Sequence, residues 1–188
     1  MAESPVSVHQ GGGTLAQAVL ASAPEGMLIA PIWKRIAAFV LDVLAISLLL
    51  EVLSRFRFLS VLASWGYLAE GSEYKFSFFV TWIIFFSAFY LYWKYTGRVY
   101  GRSLGQRAFR IAIVHDNGTA LEQHHWGSRA VSKLIYLLPL IGPLWFGLRD
   151  AFDARSEDAE YRTSIDKKNH TVAAVDWSLP VETRTKLR

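Results

Sequence analysis

Residues 31–50 read PIWKRIAAFVLDVLAISLLL, and this stretch decides the fold class of the chain. After Ile36 its only charged residue is Asp42, and Trp33, Lys34 and Arg35 precede the apolar run, as aromatic and basic residues do at the start of a membrane-spanning helix. We predict a transmembrane helix over residues 31–53. A cleaved signal peptide is the alternative for an early apolar run, but residues 1–30 precede it and no small-x-small cleavage site follows.

A second apolar run, FSFFVTWIIFFSAFYLYW, covers residues 76–93 without a charged side chain. It ends in tyrosine and tryptophan, which prefer the headgroup zone, and predicts a second transmembrane helix over 76–94. The alternative is a helix buried in a large soluble core, but a chain of 188 residues is too small to surround it on all sides.

The third apolar run, LIYLLPLIGPLWFGL at residues 134–148, is shorter than the ~20 residues that a full span needs. Pro139, Gly142 and Pro143 interrupt it, so we predict a broken or re-entrant element over 131–149. A single crossing is the alternative, but it would place the basic C-terminal residues outside, against the positive-inside rule.

The segments between and after the apolar runs predict a small antiparallel β-sheet with strands near 109–114, 119–123 and 170–176. Asp116-Asn117-Gly118 predicts a tight turn between the first two strands. The basic stretch KYTGRVYGRSLGQRAFR contains no acid, which places this loop, the sheet and both termini on the cytoplasmic side of the cell (inner) membrane. Its arginines, Arg102, Arg107 and Arg110, are expected to contact lipid phosphates or neighbouring loops.

The expected architecture is therefore an α-helical membrane protein with two full transmembrane helices, a broken third element and a small cytoplasmic sheet. We expect a mobile leader over 1–30, a membrane domain over 31–178 and a tail over 179–188.

Asp42 raises the functional question, because an acid in the hydrocarbon region costs about 2.5–3.5 kcal/mol on insertion scales. Arg35 lies seven residues earlier on the same helical face, about 10.5 Å away along the axis. Its side chain leans away from Asp42 toward the headgroups, so the two are not expected to pair. The predicted contact face is Arg35, Ala38, Asp42, Ala45 and Leu49, and Asp42 either marks an ion or proton path or anchors helix packing.

Other chemistries find little support in the sequence. There is no cysteine, no nucleophile and base at a telling spacing, and no phosphate-binding glycine loop, so we expect neither an enzyme nor a cofactor. His115, His124 and His125 do not predict a metal site, because adjacent histidines at a strand end point to opposite faces and no acid completes the set. Cytoplasmic loops that face anionic lipid explain the pI of 9.4 better than nucleic-acid binding does.

Three segments in order, PIWKRIAAFVLDVLAISLL, GRSLGQRAFRIAIVHDNGTAL and FDARSEDAEYRTSIDKKNHTVAAVD, resemble the RDD family of membrane proteins, named for an arginine and two aspartates. The resemblance implies that the family arginine is Arg35 and the first aspartate Asp42. The second aspartate is Asp166 or Asp153. Ile165 stands where many members have histidine, which weakens a proton relay at that position.

The resemblance leaves two functions open. We prefer an accessory or assembly subunit that packs against other membrane proteins, or against itself, through its first helix, because no second buried acid is visible in the spans. The alternative is a small-solute or ion (Na+/H+) transporter that uses Asp42. The expected partners are the lipid bilayer and other membrane subunits, with no nucleic acid.

Overall fold

The computed structural model describes residues 26–187, and two of its helices are long and apolar enough to cross a membrane by length and composition. They are α1 (Ile32–Leu53) and α3 (Ser72–Tyr100), as the two apolar runs predict. Helix α3 extends beyond the predicted 76–94 at both ends. It stops at Gly101, whose φ of +69° belongs to the left-handed region that closes many helices.

The connection between α1 and α3 contains α2 (Phe58–Leu62) and a 3-10 turn (Trp65–Leu68). Both pack their aromatic side chains on α3: the rings of Phe58 and Phe85 lie 6.4 Å apart and those of Trp65 and Phe78 lie 5.5 Å apart. This segment therefore covers the first half of α3.

The third apolar run is bent, as the prolines predict. Its first leg is α5 (His125–Lys133) continued by a 3-10 turn (Leu134–Leu137), and its second leg is a π-helical turn (Gly142–Gly147) continued by α6 (Leu148–Asp153). The two legs differ in direction by 111°. A bend of this size leaves the chain either as a broken span or as a re-entrant loop.

The sheet has two strands, β1 (Ile111–His115) and β2 (Thr171–Val175), which pair antiparallel with Ile111 opposite Val175. The predicted strand at 119–123 is wrong. The turn forms, with Gly118 at φ +75°, but only one bridge follows it, between Val114 and Ala120. The chain then turns into α5, which leaves too few residues for a ladder.

Short helices complete the fold: α4 (Leu104–Ala108), α7 (Ser164–Lys168), a 3-10 turn (Asp176–Ser178) and α8 (Val181–Lys186). The residues predicted as a tail are packed, because Leu179 is buried and Thr183 donates a hydrogen bond of 2.8 Å to the Gly118 carbonyl.

Residues 26–30 of the predicted leader are described by the structure, and residues 1–25 lie outside the described part of the chain. Within its last residues, Ala30 donates a 2.8 Å hydrogen bond to the Ala173 carbonyl, and the Leu28 carbonyl accepts one of 2.8 Å from Val175. This short stretch is thus held along the free edge of β2.

Helix α1 belongs to two cores. In its early turns Ala38 packs with Ile111, Ile113 and other apolar residues of the sheet, whereas later Ile46 packs with the aromatic cluster around Phe89 on α3. Asp42 lies between these two cores.

Candidate functional site

Asp42 is 1% exposed, and its two carboxylate oxygens accept four hydrogen bonds. Tyr92 Oη (2.6 Å) and the Gly105 amide (2.7 Å) donate to Oδ1. Ser103 Oγ (2.5 Å) and Trp93 Nε1 (3.3 Å) donate to Oδ2. An ionised carboxylate offers about four acceptor positions, so these donors fill it. As the helix geometry predicts, the partners of Asp42 lie on other elements and do not include Arg35.

Two of the donors, Ser103 and the Gly105 amide, reach Asp42 because α4 approaches α1 very closely. Ser103 caps α4 in a capping box with Gln106, which orients the first turn of α4 toward α1. A Cβ atom added to Gly105 would lie only 2.0 Å from the Ala38 carbonyl oxygen. Only glycine fits at this position, which explains the second glycine of GRSLG.

Of the predicted contact face of α1, Ala38 and Asp42 are buried within the described chain, and contact of this face with another membrane protein stays a prediction. Ala45 and Leu49 are exposed, and Ile46 is buried in their place. Buried positions therefore follow a spacing of four along the helix. The small residue Ala38 meets the backbone of α4, not another long helix.

The partners of Asp42 also fix its level along the helices. Tyr92 and Trp93 are the last two residues of the apolar run at 76–93. Asp42 is therefore level with the aromatic end of this run and not with its middle.

A second buried ionic centre surrounds Asp166. Arg129 Nη2 lies 2.8 Å from Asp166 Oδ1, Arg35 Nη1 lies 3.5 Å from Oδ2, and Thr163 Oγ1 donates to Oδ2 at 2.9 Å. Thr171 Oγ1, at 3.4 Å from Oδ1, takes the remaining position. Burial opposes ionisation, but the two guanidinium groups hold the pKa of the Asp166 carboxyl below its usual value.

Arg35 ties this centre to the start of α1. Its guanidinium also donates to the carbonyls of Ala30 (2.9 Å) and Ala173 (3.3 Å). The arginine therefore joins α1, the segment before it and β2, and it does not extend toward a headgroup as the lean of its side chain predicts.

A third buried acid, Asp150, lies in α6, the end of the bent element, and sequence reasoning missed it. It accepts hydrogen bonds from Tyr136 Oη, the Ser164 amide (3.1 Å) and Ser164 Oγ (2.8 Å). Sequence reasoning also missed Arg129 and Lys133, although their spacing of four on a helix next to the apolar run was a usable signal.

The other predicted site residues lie apart from these centres. Asp153 is on the outside of α6, where it faces Arg149 at 3.9 Å. Arg102 pairs with Asp176 at 2.9 Å, while Arg107 and Arg110 are exposed. Contact with lipid phosphates stays a prediction for the two exposed arginines.

Contrary to the prediction, the histidines at 124 and 125 do not lie at a strand end. Residues 122–125 form the turn into α5 and not a strand end, so the rings of His124 and His125 lie on the same side, 4.0 Å apart between centroids. An acid is also present, because Glu122 Oε2 lies 3.2 Å from His124 Nδ1.

A cavity of about 380 Å³ lies between α1, the sheet, α5 and α6. Apolar side chains form most of its wall, and six charged side chains line it: Arg35, Arg129, Lys133, Asp42, Asp150 and Asp166. The cavity therefore touches both ionic centres.

The fold combines two helices long and apolar enough to cross a membrane with a bent apolar element, and buried ionic groups join a small sheet to them. These features are those of a small helical membrane protein. The model of the RDD family matches residues 29–158, more than half of the chain. The chain belongs to the RDD family, whose members are membrane proteins, and this confirms the resemblance. Arg35, Asp42 and Asp153 lie inside the matched range and Asp166 lies beyond it. No curated protein and no solved structure matches the chain.

Proposed function

We propose that the protein binds a small amphipathic molecule with an anionic group in the cavity, as part of a solute-binding or solute-transporting role in the membrane. The volume of about 380 Å³ and the mostly apolar wall suit such a molecule. The observation that carries the proposal is the balance of unused hydrogen-bond donors and acceptors at the polar end of the cavity.

The acidic groups of the cavity have little capacity left. Asp42 and Asp166 each receive four hydrogen bonds or ion-pair contacts from the protein, and Asp150 receives three. A carboxylate offers about four acceptor positions. A bound Na+ would need oxygen ligands that these side chains already use, which disfavours Asp42 as a cation site.

The cationic groups, by contrast, keep unused donors. Across residues 26–187 we find no hydrogen bond or ion pair for Lys133 Nζ, which lies 5.2 Å from the centre of the Trp93 ring. The buried Nε of Arg129 also has no acceptor in the described part of the chain. A phosphate or carboxylate group in the cavity would supply the missing acceptors.

The rim of the cavity suits the apolar part of the same ligand. Ile36, Val40 and Leu148 line the cavity and are about half exposed on its outside. With α1 and α6 placed against lipid, this opening faces acyl chains, so we expect access from the side of the bilayer and not from water. A chain of methylene groups can then lie along the rim while the anion reaches Lys133.

Binding of dodecyl phosphate to the full chain in a non-ionic maltoside detergent tests the proposal, with dodecylphosphocholine as the probe of equal chain length and no net charge. We expect calorimetry to give one dodecyl phosphate per chain. Lys133→Gln removes a charge-assisted hydrogen bond worth about 1.5–3 kcal/mol, so we expect the affinity to fall at least about tenfold.

Lys94→Gln is the matched control, because Lys94 also lies 5.2 Å from an aromatic ring centre, that of Tyr90, but does not line the cavity. We expect it to bind like the unchanged protein. Equal binding of both probes, or an unchanged affinity in Lys133→Gln with the fold intact by circular dichroism, would contradict the proposal.

An assembly subunit that packs through α1 is the second candidate function. The face of α1 that the described chain leaves exposed favours it, since Leu44, Leu48 and Leu49 on that face could pack against a partner helix in lipid. Purification in mild detergent followed by mass spectrometry tests this candidate. Stable co-purification of another membrane protein at fixed stoichiometry supports it, and a chain recovered alone or only with itself argues against a hetero-assembly.

We further place the protein in the cell (inner) membrane with the sheet and both ends of the described chain on the cytoplasmic side. The support is the acid-free basic stretch between α3 and β1, together with the positive-inside rule. Labelling of single cysteines introduced at Arg107 and at Gly66, the latter in the turn between α1 and α3, checks the orientation in intact cells. A membrane-impermeant reagent should reach position 66 and not position 107.

A further inference from the structure

Four of the five histidines in the sequence meet at one end of the sheet. His115 ends β1, and His170 precedes Thr171, the residue of β2 that pairs with His115. The His125 ring lies 5.3 Å from that of His115 and 4.0 Å from that of His124. Imidazole groups from both strands and from the start of α5 therefore share one small region, away from the cavity.

Three side chains in this region are close enough to bind one ion. Glu122, His124 and His125 each offer a ligand atom, and these atoms all lie within 4.8 Å of one another. In a tetrahedral zinc site with bonds of about 2.0–2.2 Å, neighbouring ligand atoms lie roughly 3.3–3.6 Å apart. Glu122 Oε2 and His124 Nδ1 are already 3.2 Å apart.

The distances among the three ligand atoms can shorten to those of a zinc site without a movement of the backbone. The side chains of Glu122 and His124 are 68% and 70% exposed, so they can rotate at little cost. The backbone around them is fixed, because the His125 amide donates to the Glu122 carbonyl at 3.2 Å and begins α5. All three ligands therefore come from a single four-residue turn of defined shape.

The donor set selects the class of ion. Two imidazoles and one carboxylate suit first-row divalent transition metals such as Zn2+, whereas Mg2+ and Ca2+ prefer sites made of oxygen ligands. We propose that Glu122, His124 and His125 bind a divalent transition-metal ion of the zinc class, with a fourth coordination position open. The site is independent of the function proposed for the cavity.

Metal titration of the full chain tests this site, using protein purified in detergent through a tag without histidine and stripped with a chelator. We expect calorimetry to give one Zn2+ per chain, and bound Co2+ to give the visible absorption of a low-coordinate nitrogen and oxygen site. Ca2+ and Mg2+ should bind at least tenfold more weakly than Zn2+.

The variants Glu122→Gln, His124→Ala and His125→Ala should each lower the Zn2+ affinity at least about tenfold, because loss of an outer-shell partner alone costs 10–100-fold and loss of a ligand costs no less. Gln123→Ala is the matched control, since it changes the same turn without removing a proposed ligand. Absence of stoichiometric Zn2+ binding overturns the proposal. So does equal affinity in the double variant His124→Ala/His125→Ala, or tighter binding of Ca2+ or Mg2+ than of Zn2+.

Discussion

The contact between α4 and α1 makes Gly105→Ala the most informative substitution in the chain. The new Cβ would lie 2.0 Å from the Ala38 carbonyl oxygen and 2.9 Å from Asp42 Oδ1, where an ordinary contact needs 3.4 Å or more. Helix α4 must therefore move away from α1 by more than 1 Å. The 2.7 Å hydrogen bond from the Gly105 amide to Asp42 does not survive a shift of that size.

The cost follows from these two effects. Forcing an extra methyl group into a packed contact costs about 1–3 kcal/mol, and losing a hydrogen bond to a charged group costs about 1.5–3 kcal/mol. Alanine returns up to about 1 kcal/mol through its better helix propensity. We therefore expect Gly105→Ala to lower the free energy of unfolding by about 2–5 kcal/mol.

Gly127→Ala is the matched control, because Gly127 also lies in a helix but its added Cβ would meet only Tyr90 Oη at an ordinary 3.9 Å. We expect this variant to be stabilised by up to about 1 kcal/mol. Thermal unfolding in detergent, followed by circular dichroism, compares the two. If Gly105→Ala is as stable as Gly127→Ala, the close approach of α4 to α1 does not exist.

Three further predictions concern the buried polar groups and the second close glycine contact. Asp42→Asn turns one acceptor oxygen into an amide donor that faces two other donors, so we expect a loss of about 3 kcal/mol in unfolding free energy, measured by the same thermal assay. Arg129→Met leaves Asp166 with one cationic partner and should lower the free energy of unfolding by about 3–5 kcal/mol. The folded protein holds the pKa of Asp166 below the unfolded value of about 3.9, so the ionised carboxylate stabilises the fold above that pH, and this contribution is lost as the pH falls through the folded-state pKa. Asp166→Asn should therefore make the free energy of unfolding less dependent on pH in this acidic range. Gly97→Ala would place a Cβ 2.1 Å from the Trp126 ring, so we expect a cost of about 1–3 kcal/mol with a shift in tryptophan emission.

Each of these has an outcome that contradicts it. Unchanged stability of Asp42→Asn would mean that its four donors do not bind the carboxylate in solution. If the loss of stability at acidic pH is the same with and without the Asp166 carboxyl, other groups cause that loss. Unchanged emission in Gly97→Ala would show that the Trp126 ring does not pack on α3 at this point.

The sequence was sufficient for features that depend on one segment alone. Apolar runs predicted α1 and α3, and Pro139 with Pro143 predicted the break in the third run, because length, hydropathy and the missing proline N–H act locally. The strand at 119–123 did not form because the chain turns into α5 directly after these residues, which leaves too few of them for a ladder. The edge contact of residues 28–30 with β2 was out of reach, since it joins segments more than 140 residues apart.

The polar site shows the same division. Arg35 and Asp42 were visible because a charge in an apolar helix is unusual in any context. Arg129, Lys133 and Asp150 were missed because each looks like an ordinary charge beside an apolar run until the bend turns it inward. The local structure at residues 122–125 was misjudged for a related reason: a strand would have separated His124 from His125, whereas the observed turn brings their rings together.

The hydrogen bonds divide the buried ionic groups into two kinds, and this division changes how mutants must be interpreted. Asp42 and Asp166 have all their acceptor positions filled and join α1 to α4, α5 and the sheet, so substituting either one removes packing together with charge. A transport assay on Asp42→Asn therefore cannot separate a lost ion site from a lost fold. Across residues 26–187 Lys133 Nζ makes no hydrogen bond or ion pair, and its contact with another helix is the cation–π contact with the Trp93 ring of α3, so a change there alters the cavity with little effect on the scaffold. Loss of ligand binding in Lys133→Gln at unchanged stability is the result that only a binding role explains.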